Sequence, residues 1–282
     1  VVDDWRGGHG RVVSELIRAV APGVGILRVE RQGRSLAEAF EVAAANLGNF
    51  QVVNLSFGLV DGQRLTLAFD EPCSVEAFGF EDPLVRIARG GVPLVGAAGN
   101  IARPDALAAP ACHPEVISVG ASYSEDSGLP DPNCPGTLVV VDHLACFSNE
   151  APFLDLVAPG RPIRINDRPF DGTSAAAPLV TGAIALMLEA NPTLSRDEVR
   201  DILARTGDRA LSVKSGRVYP RLNVFRAVQA ALALKPLGPP SAPPPPPPGA
   251  APRIVTVELP AHWAPLRREA VRVRYDDGDG DV

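Results

Sequence analysis

The sequence predicts an α/β fold with a mostly parallel central sheet flanked by helices. Three observations carry this. Short, nearly continuous apolar runs such as Gln51–Phe57 (QVVNLSF) and Val92–Ala98 (VPLVGAA) read as strands covered on both faces. Segments with apolar residues at i, i+3 and i+4 alternate with those runs, the pattern of βαβ units. Ser174–Ala190 is apolar almost all round, so a helix there must lie inside the domain.

The elements follow in order. Gly10–Val20 places Val12, Val13, Leu16, Ile17 and Val20 on one helical face, and Pro22-Gly23 stops the helix. Gly25–Glu30 is a short strand, and Leu36–Leu47 an alanine-rich helix. Gln51–Phe57 is a strand ended by Gly58. Pro83–Arg89 is helical, and Val92–Ala98 is a strand ended by Gly99. Val116–Gly120 and Leu154–Val157 read as further strands. Pro178 falls in the first turns of the Ser174–Ala190 helix, where a missing N–H costs little. Ser195 and Glu198 form an S-x-x-E capping box that starts another helix. Leu222–Leu234 is the last amphipathic helix.

Composition narrows the function. The chain has 282 residues, 46% of them apolar, which suits a globular core and excludes wholesale disorder. Its net charge is −6, with no basic footprint for nucleic acid. No apolar run reaches the ~18 residues of a membrane span. Ten of its 29 prolines lie between Pro236 and Pro252, an extended, stiff linker. Three regions result: a domain over residues 1–234, a Pro-rich linker over 235–252, and residues 253–282. The last region alternates apolar and polar residues as strands do, and is too short to be stable alone. It reads as the start of a truncated C-terminal β module or tail.

Three motifs carry chemistry. Gly172–Pro178 (GTSAAAP) opens the buried helix. A serine there sits among free backbone N–H groups at the positive end of a helix dipole, a place suited to a nucleophile whose intermediate is an oxyanion. It could equally be a plain N-cap. Gly8-His9-Gly10 heads the first helix, and histidine is the usual general base for serine. Ala97-Ala98-Gly99-Asn100 ends a buried strand, where an asparagine amide could donate to an oxyanion. His113, His143 and His262 have no partner at metal spacing and read as surface residues. Asp276, Asp277, Asp279 and Asp281 read as a solvated acidic end, because they lack the twelfth-position glutamate of a calcium loop.

Together the motifs resemble the subtilisin-like serine proteases (subtilases). GTSAAAPLVTG is similar to the nucleophile signature of that family, with Pro178 four and Gly182 eight residues after Ser174. QVVNLSFG resembles its substrate-cleft strand and PLVGAAGN its oxyanion strand. HPEVISVGA, CFSNEAPFLDLVAPG and RLNVFRAVQAAL resemble other family segments, in the family's order, over roughly residues 1–234. The resemblance implies a subtilisin-like three-layer fold and a serine endopeptidase. Ser174 would be the nucleophile and His9 the general base. The Asn100 side chain and the Ser174 N–H would form the oxyanion hole. Ser56, Phe57 and Gly58 would hold the substrate backbone, with Ala97, Ala98 and Gly99 across the cleft. The small residues there imply room for a large apolar side chain in the specificity pocket.

Two departures from the family pattern stand out. The histidine motif carries Arg11 where the family prefers Thr or Ser, and Glu15 where it prefers Gly. The family's aspartate also stands much further ahead of its histidine. Either Asp3, in Val1-Val2-Asp3-Asp4, takes that role across an extended span of up to ~20 Å, or a residue upstream of Val1 does. The chain starts at Val1, and its single methionine is Met187, so a processed or truncated N-terminus is expected.

Four cysteines allow three pairings of two disulfides, or four free thiols. The resemblance implies Cys73–Cys112 and Cys134–Cys146, and with them a secreted, extracellular or periplasmic protein. It further implies polypeptide substrates, a propeptide and a monomer, and no required cofactor. Structural calcium is compatible with the family, but the sequence offers no ligand motif for it. The alternative is a catalytically impaired pseudoprotease serving as a binding or scaffold module, motivated by Trp5, Arg11 and the short N-terminus. An α/β-hydrolase esterase is disfavoured, because no G-x-S-x-G elbow is present.

Overall fold

The computed structural model describes residues 8–30, 35–60, 66–131, 134, 136–165, 168–234, 253–258 and 273–275. Its elements run α1 (His9–Val20), β1 (Gly25–Glu30), α2 (Leu36–Ala44), β2 (Val52–Leu55), β3 (Ala68–Phe69), α3 (Glu81–Arg89), β4 (Leu94–Ala97), β5 (Leu107–Ala108), β6 (Val116–Tyr123), β7 (Leu156–Arg161), β8 (Arg164–Ile165) and β9 (Arg168–Pro169). There follow α4 (Thr173–Ala190), α5 (Arg196–Thr206), β10 (Asp208–Leu211), β11 (Val218–Arg221), α6 (Val224–Ala233), β12 (Arg253–Glu258) and β13 (Val273–Tyr275).

The fold is α/β, with a nine-stranded sheet in the order β10-β11-β7-β6-β4-β2-β12-β1-β13. Every interior pairing is parallel, and only the two edge pairings, β10–β11 and β13–β1, are antiparallel. The apolar strands divide their side chains between two cores, as a strand's alternation requires. Val53 and Leu94 face one core, with Phe40 of α2 and Leu84 and Ile87 of α3. Val52 and Val95 face the other, with Ile17 of α1, Ile184 of α4, Ile202 of α5 and Ala227 of α6. Three layers result.

α4 is, among the described residues, the one helix long and apolar enough to cross a membrane, and two thirds of it is buried within the domain. That burial accounts for its lack of a polar face. Glycine sets its fit against α1. A Cβ on Gly182 would stand 2.7 Å from the Val20 Cβ and 3.0 Å from the Ile17 carbonyl, so only hydrogen lets the two helices approach this closely. The Ser195 capping box forms as expected, and Ser35 with Glu38 makes a second one at the head of α2. α2 ends at Ala44 rather than Leu47, and Asn46 Nδ2 donates to the Val42 carbonyl just beyond its end (2.7 Å).

Besides the short β3–β5 and β8–β9 pairs, two larger features are absent from the sequence reading. One is the β10–β11 hairpin, which extends the sheet beyond β7. The other is the position of the C-terminal segments. Sequence sets residues 253–282 apart, yet β12 lies between β1 and β2, parallel to both, with Ile254 opposite Val52 and Ile26. An apolar, alternating segment suits a sheet slot that would otherwise leave two rows of backbone groups unpaired.

Candidate active site

The carboxyl ends of β2 and β4 and the N-termini of α1 and α4 carry the residues singled out by sequence, at the edge where open α/β sheets place their sites. Ser174 is the second residue of α4, after Gly172 and Thr173. Gly172 has φ 140°, left to glycine by sterics, and a Cβ there would stand 3.2 Å from the Asn100 amide nitrogen. The glycine thus makes both the turn and the space for that amide.

Asn100 is clamped from one side. Its Oδ1 accepts from the Thr173 N–H and from Thr173 Oγ1, both at 2.9 Å. Thr173 Oγ1 also accepts from the Gly99 N–H at 3.1 Å. Because the Thr173 N–H can only donate, the oxygen of the Asn100 amide must face it, and Nδ2 faces away as a donor. Of the first-turn N–H groups of α4, those of Ala175 and Ala176 go to the Gly172 carbonyl. The Ser174 N–H sits between these and the Thr173 N–H, at the positive end of the helix.

A buried polar chain lies beneath the serine. Thr181 Oγ1 donates to Asn54 Oδ1 (2.9 Å), Asn54 Nδ2 to Ser56 Oγ (2.9 Å), and Ser56 Oγ to the Ser174 carbonyl (3.2 Å). Ser174 Oγ in turn donates to the Ser56 carbonyl at 3.2 Å. Two elements distant in sequence are thereby locked together, β2 through Asn54 and Ser56 and α4 through Ser174 and Thr181. Sequence reading missed Asn54, Thr173 and Thr181. The available signal was polarity at otherwise apolar positions, since Asn54 and Thr181 are fully buried.

His9 is the first residue of α1, with Gly8 at its N-cap. Its ring lies against Phe170, centroids 5.1 Å apart and planes tilted by 58°. Phe170 stands four residues before Ser174, so the histidine reaches the nucleophile loop through an aromatic contact. Arg11 and Glu15, the two departures in this motif, pair with each other. Arg11 Nε meets Glu15 Oε1 at 2.8 Å, with the arginine side chain 61% exposed. Each thus accounts for the other, on the solvent face of α1. Asp3, with Asp4 and Trp5, lies outside the described residues.

Both expected disulfides are present, Cys73–Cys112 and Cys134–Cys146. Each bridge stabilises a domain of this kind by ~2–4 kcal/mol. His113 corrects the sequence reading, because it is buried and paired. Its Nδ1 accepts from the Glu115 N–H (3.1 Å), which puts the ring proton on Nε2, 2.9 Å from Glu81 Oε1. Burial alone would raise the Glu81 carboxyl, but the hydrogen bonds from His113, the Val75 N–H and Ser74 together hold it below its ordinary range. Tyr123, near the second bridge, donates to buried Asp131 (2.8 Å), and burial pushes its phenol up to about 12. Among the described residues no group of three or more His, Cys, Asp or Glu could hold a metal ion.

Known proteins align with this architecture. The profile of the Subtilase family matches residues 7–223. Proprotein convertase subtilisin/kexin type 9 of Rattus norvegicus is 38% identical over 118 residues, 42% of this chain and 16% of that protein. The Mus musculus protein is 38% identical over 117 residues, with the same coverage. The chain thus spans about a sixth of the length of these relatives. Among solved structures, the protease domain of PatA, as a serine-to-alanine mutant, superposes with a TM-score of 0.52 at 26% identity. That match covers 70% of this chain and 65% of the other. The prenylagaramide maturation protease PagA gives 0.51 at 23% identity, over 69% and 66% of the two chains, a likeness of fold. The profile match covers the carriers of the serine, histidine and asparagine motifs alike, and the chain belongs to the subtilase family of serine proteases.

Proposed function

We propose that this protein is a secreted endopeptidase that hydrolyses peptide bonds through an acyl-enzyme on Ser174. Ser174 Oγ attacks the substrate carbonyl while His9 takes its proton. The tetrahedral oxyanion rests between Asn100 Nδ2 and the Ser174 N–H. The amine product leaves with the proton held on His9, and water, activated by the same imidazole, hydrolyses the ester. Asp3 orients His9 and stabilises its protonated form. The substrate backbone lies extended along Ser56–Gly58, with Ala97–Gly99 across the groove. Two disulfides favour an oxidising compartment.

The observation that carries this reading is the Thr173 clamp, which holds the Asn100 amide by its oxygen beside the head of α4 and turns the Nδ2 donor away from Thr173. A scaffold module has no need of an oriented donor beside a helix-start serine. A fluorophosphonate probe tests the reading. Labelling at Ser174, absent in Ser174→Ala, is expected. An unlabelled wild-type serine together with no peptide cleavage would leave the pseudoprotease reading in its place.

A further inference from the structure

Packing holds little of the loop that follows β4. Residues 100–105 are exposed, so burial of apolar side chains does not fix the stretch that carries Asn100. Its backbone also runs against side-chain sterics. Gly99, at its entry, has φ 106°, and Ala102, within it, has φ 59°, a left-handed conformation that a Cβ disfavours. Such a loop keeps one shape only where neighbouring groups impose it.

Residues 147–150, ahead of β7, impose it. The Asn149 N–H donates to the Gly99 carbonyl (2.9 Å), the Ala102 N–H to the Phe147 carbonyl (2.8 Å) and the Glu150 N–H to the Arg103 carbonyl (2.8 Å). The Asn149 side chain completes the set. Its Oδ1 accepts from the Ile101 N–H and the Arg103 N–H, both at 3.1 Å, one on each side of Ala102. Asn149 is fully buried, and its Nδ2 has no hydrogen-bond partner among the described residues. An asparagine that stays buried with its donor unpaired is held there for its oxygen. Gly99 makes room for that amide, because a Cβ on it would stand 2.6 Å from Asn149 Nδ2.

We infer that Asn149 is a positioning residue for the oxyanion donor: it pins the backbone on both sides of Ala102 and so sets where the loop presents the Asn100 side chain. This rests on the reading of Asn100 as that donor. The Thr173 clamp turns the Asn100 amide, and Asn149 holds the chain that carries it.

Peptide cleavage by Asn149→Ala tests it. Loss of both bonds to Oδ1 should lower kcat about tenfold and leave KM unchanged. In an Asn100→Ala background the same substitution should cost nothing further, because the group it positions is gone. An unchanged kcat in Asn149→Ala, or losses that multiply in the double variant, overturns the inference. If Asn149→Ala does not fold, Ala102→Val carries the test from an exposed position. Valine resists a positive φ, so kcat should fall, and only while Asn100 is present. An unchanged kcat there overturns the inference as well. Amide hydrogen exchange in Ser174→Ala reads the loop without turnover. Adding Asn149→Ala should speed exchange at Ile101 and Arg103 by at least about tenfold while the amides of β6 keep their rates. Equal acceleration throughout, or none at these two amides, overturns the inference even in a protein that cleaves nothing. An Asn100→Ala variant that turns over like wild type overturns the oxyanion reading itself, and the exchange rates then decide alone whether Asn149 holds the loop.

Discussion

The nucleophile half and the histidine half of the site are built differently. Around Ser174 and Asn100 every orientation is fixed by hydrogen bonds between elements: Thr173 to Asn100, Ser56 to Ser174, Asn54 to Thr181. Removing Ser56 or Thr181 takes a partner from the fully buried Asn54 amide, which is costly. His9 packs against the Phe170 ring, and the nearby ion pair of Arg11 and Glu15 lies on the outer face of α1. The Asn100 amide is thus turned by hydrogen bonds from Thr173, while an aromatic ring lies against the imidazole.

Substitutions can break this contrast at graded depth. Asn100→Ala should have the largest effect among them, lowering kcat about 10²–10³-fold with little change in KM. That magnitude comes from subtilisin, the namesake of the family. Single-turnover acylation would measure it, and an unchanged rate would remove Asn100 from the oxyanion hole. Thr173→Val keeps the N–H clamp and loses the hydroxyl one, so about a tenfold loss in kcat is expected. Phe170→Ala should cost less in kcat than Thr173→Val, because it removes an apolar contact and leaves no hydrogen-bonding group unpaired. Equal or larger losses in a kcat comparison would contradict this.

The Glu81–His113 pair, next to the Cys73–Cys112 bridge, titrates. The Glu81 carboxyl is held below its ordinary value of 4.5 in the folded protein. A folded carboxylate with a lowered pKa contributes stability that is fully present above the unfolded value and is lost as pH falls through the folded one. Glu81→Gln should therefore destabilise the protein by ~1–3 kcal/mol near neutral pH, and the gap from wild type should close in acid. Denaturant melts at pH 7 and pH 3 would show it, and a gap independent of pH would contradict it. The smallest effect belongs to Arg11→Ala. An exposed ion pair is worth ~0.5 kcal/mol or less, so stability and turnover should barely change. A large drop in kcat would show that Arg11 acts on the site directly.

Several elements were legible because their determinants are local. The helices of His9–Val20, Thr173–Ala190 and Arg196–Thr206 follow from periodicity, hydrophobic excess and a capping box. The β10–β11 hairpin was not legible. Its strands are four residues long, with one buried residue each and little apolar alternation. They are held instead by buried Glu150, which accepts from Ser212, Ser215 and Tyr219, contacts that span more than sixty residues of sequence. His113 likewise read as surface because its partner, Glu81, stands 32 positions away.

Sequence by itself determined the fold class, the order of the motifs, and the residue types that can act as nucleophile, base and oxyanion donor. Those properties depend on side-chain chemistry and short-range periodicity. Tertiary structure alone decided which way the Asn100 amide faces and that buried His113 pairs with Glu81. It also decided the place of Arg253–Glu258 within the sheet. Each of these is a distance between atoms remote along the chain or set by side-chain packing, and spacing in sequence carries no measure of it.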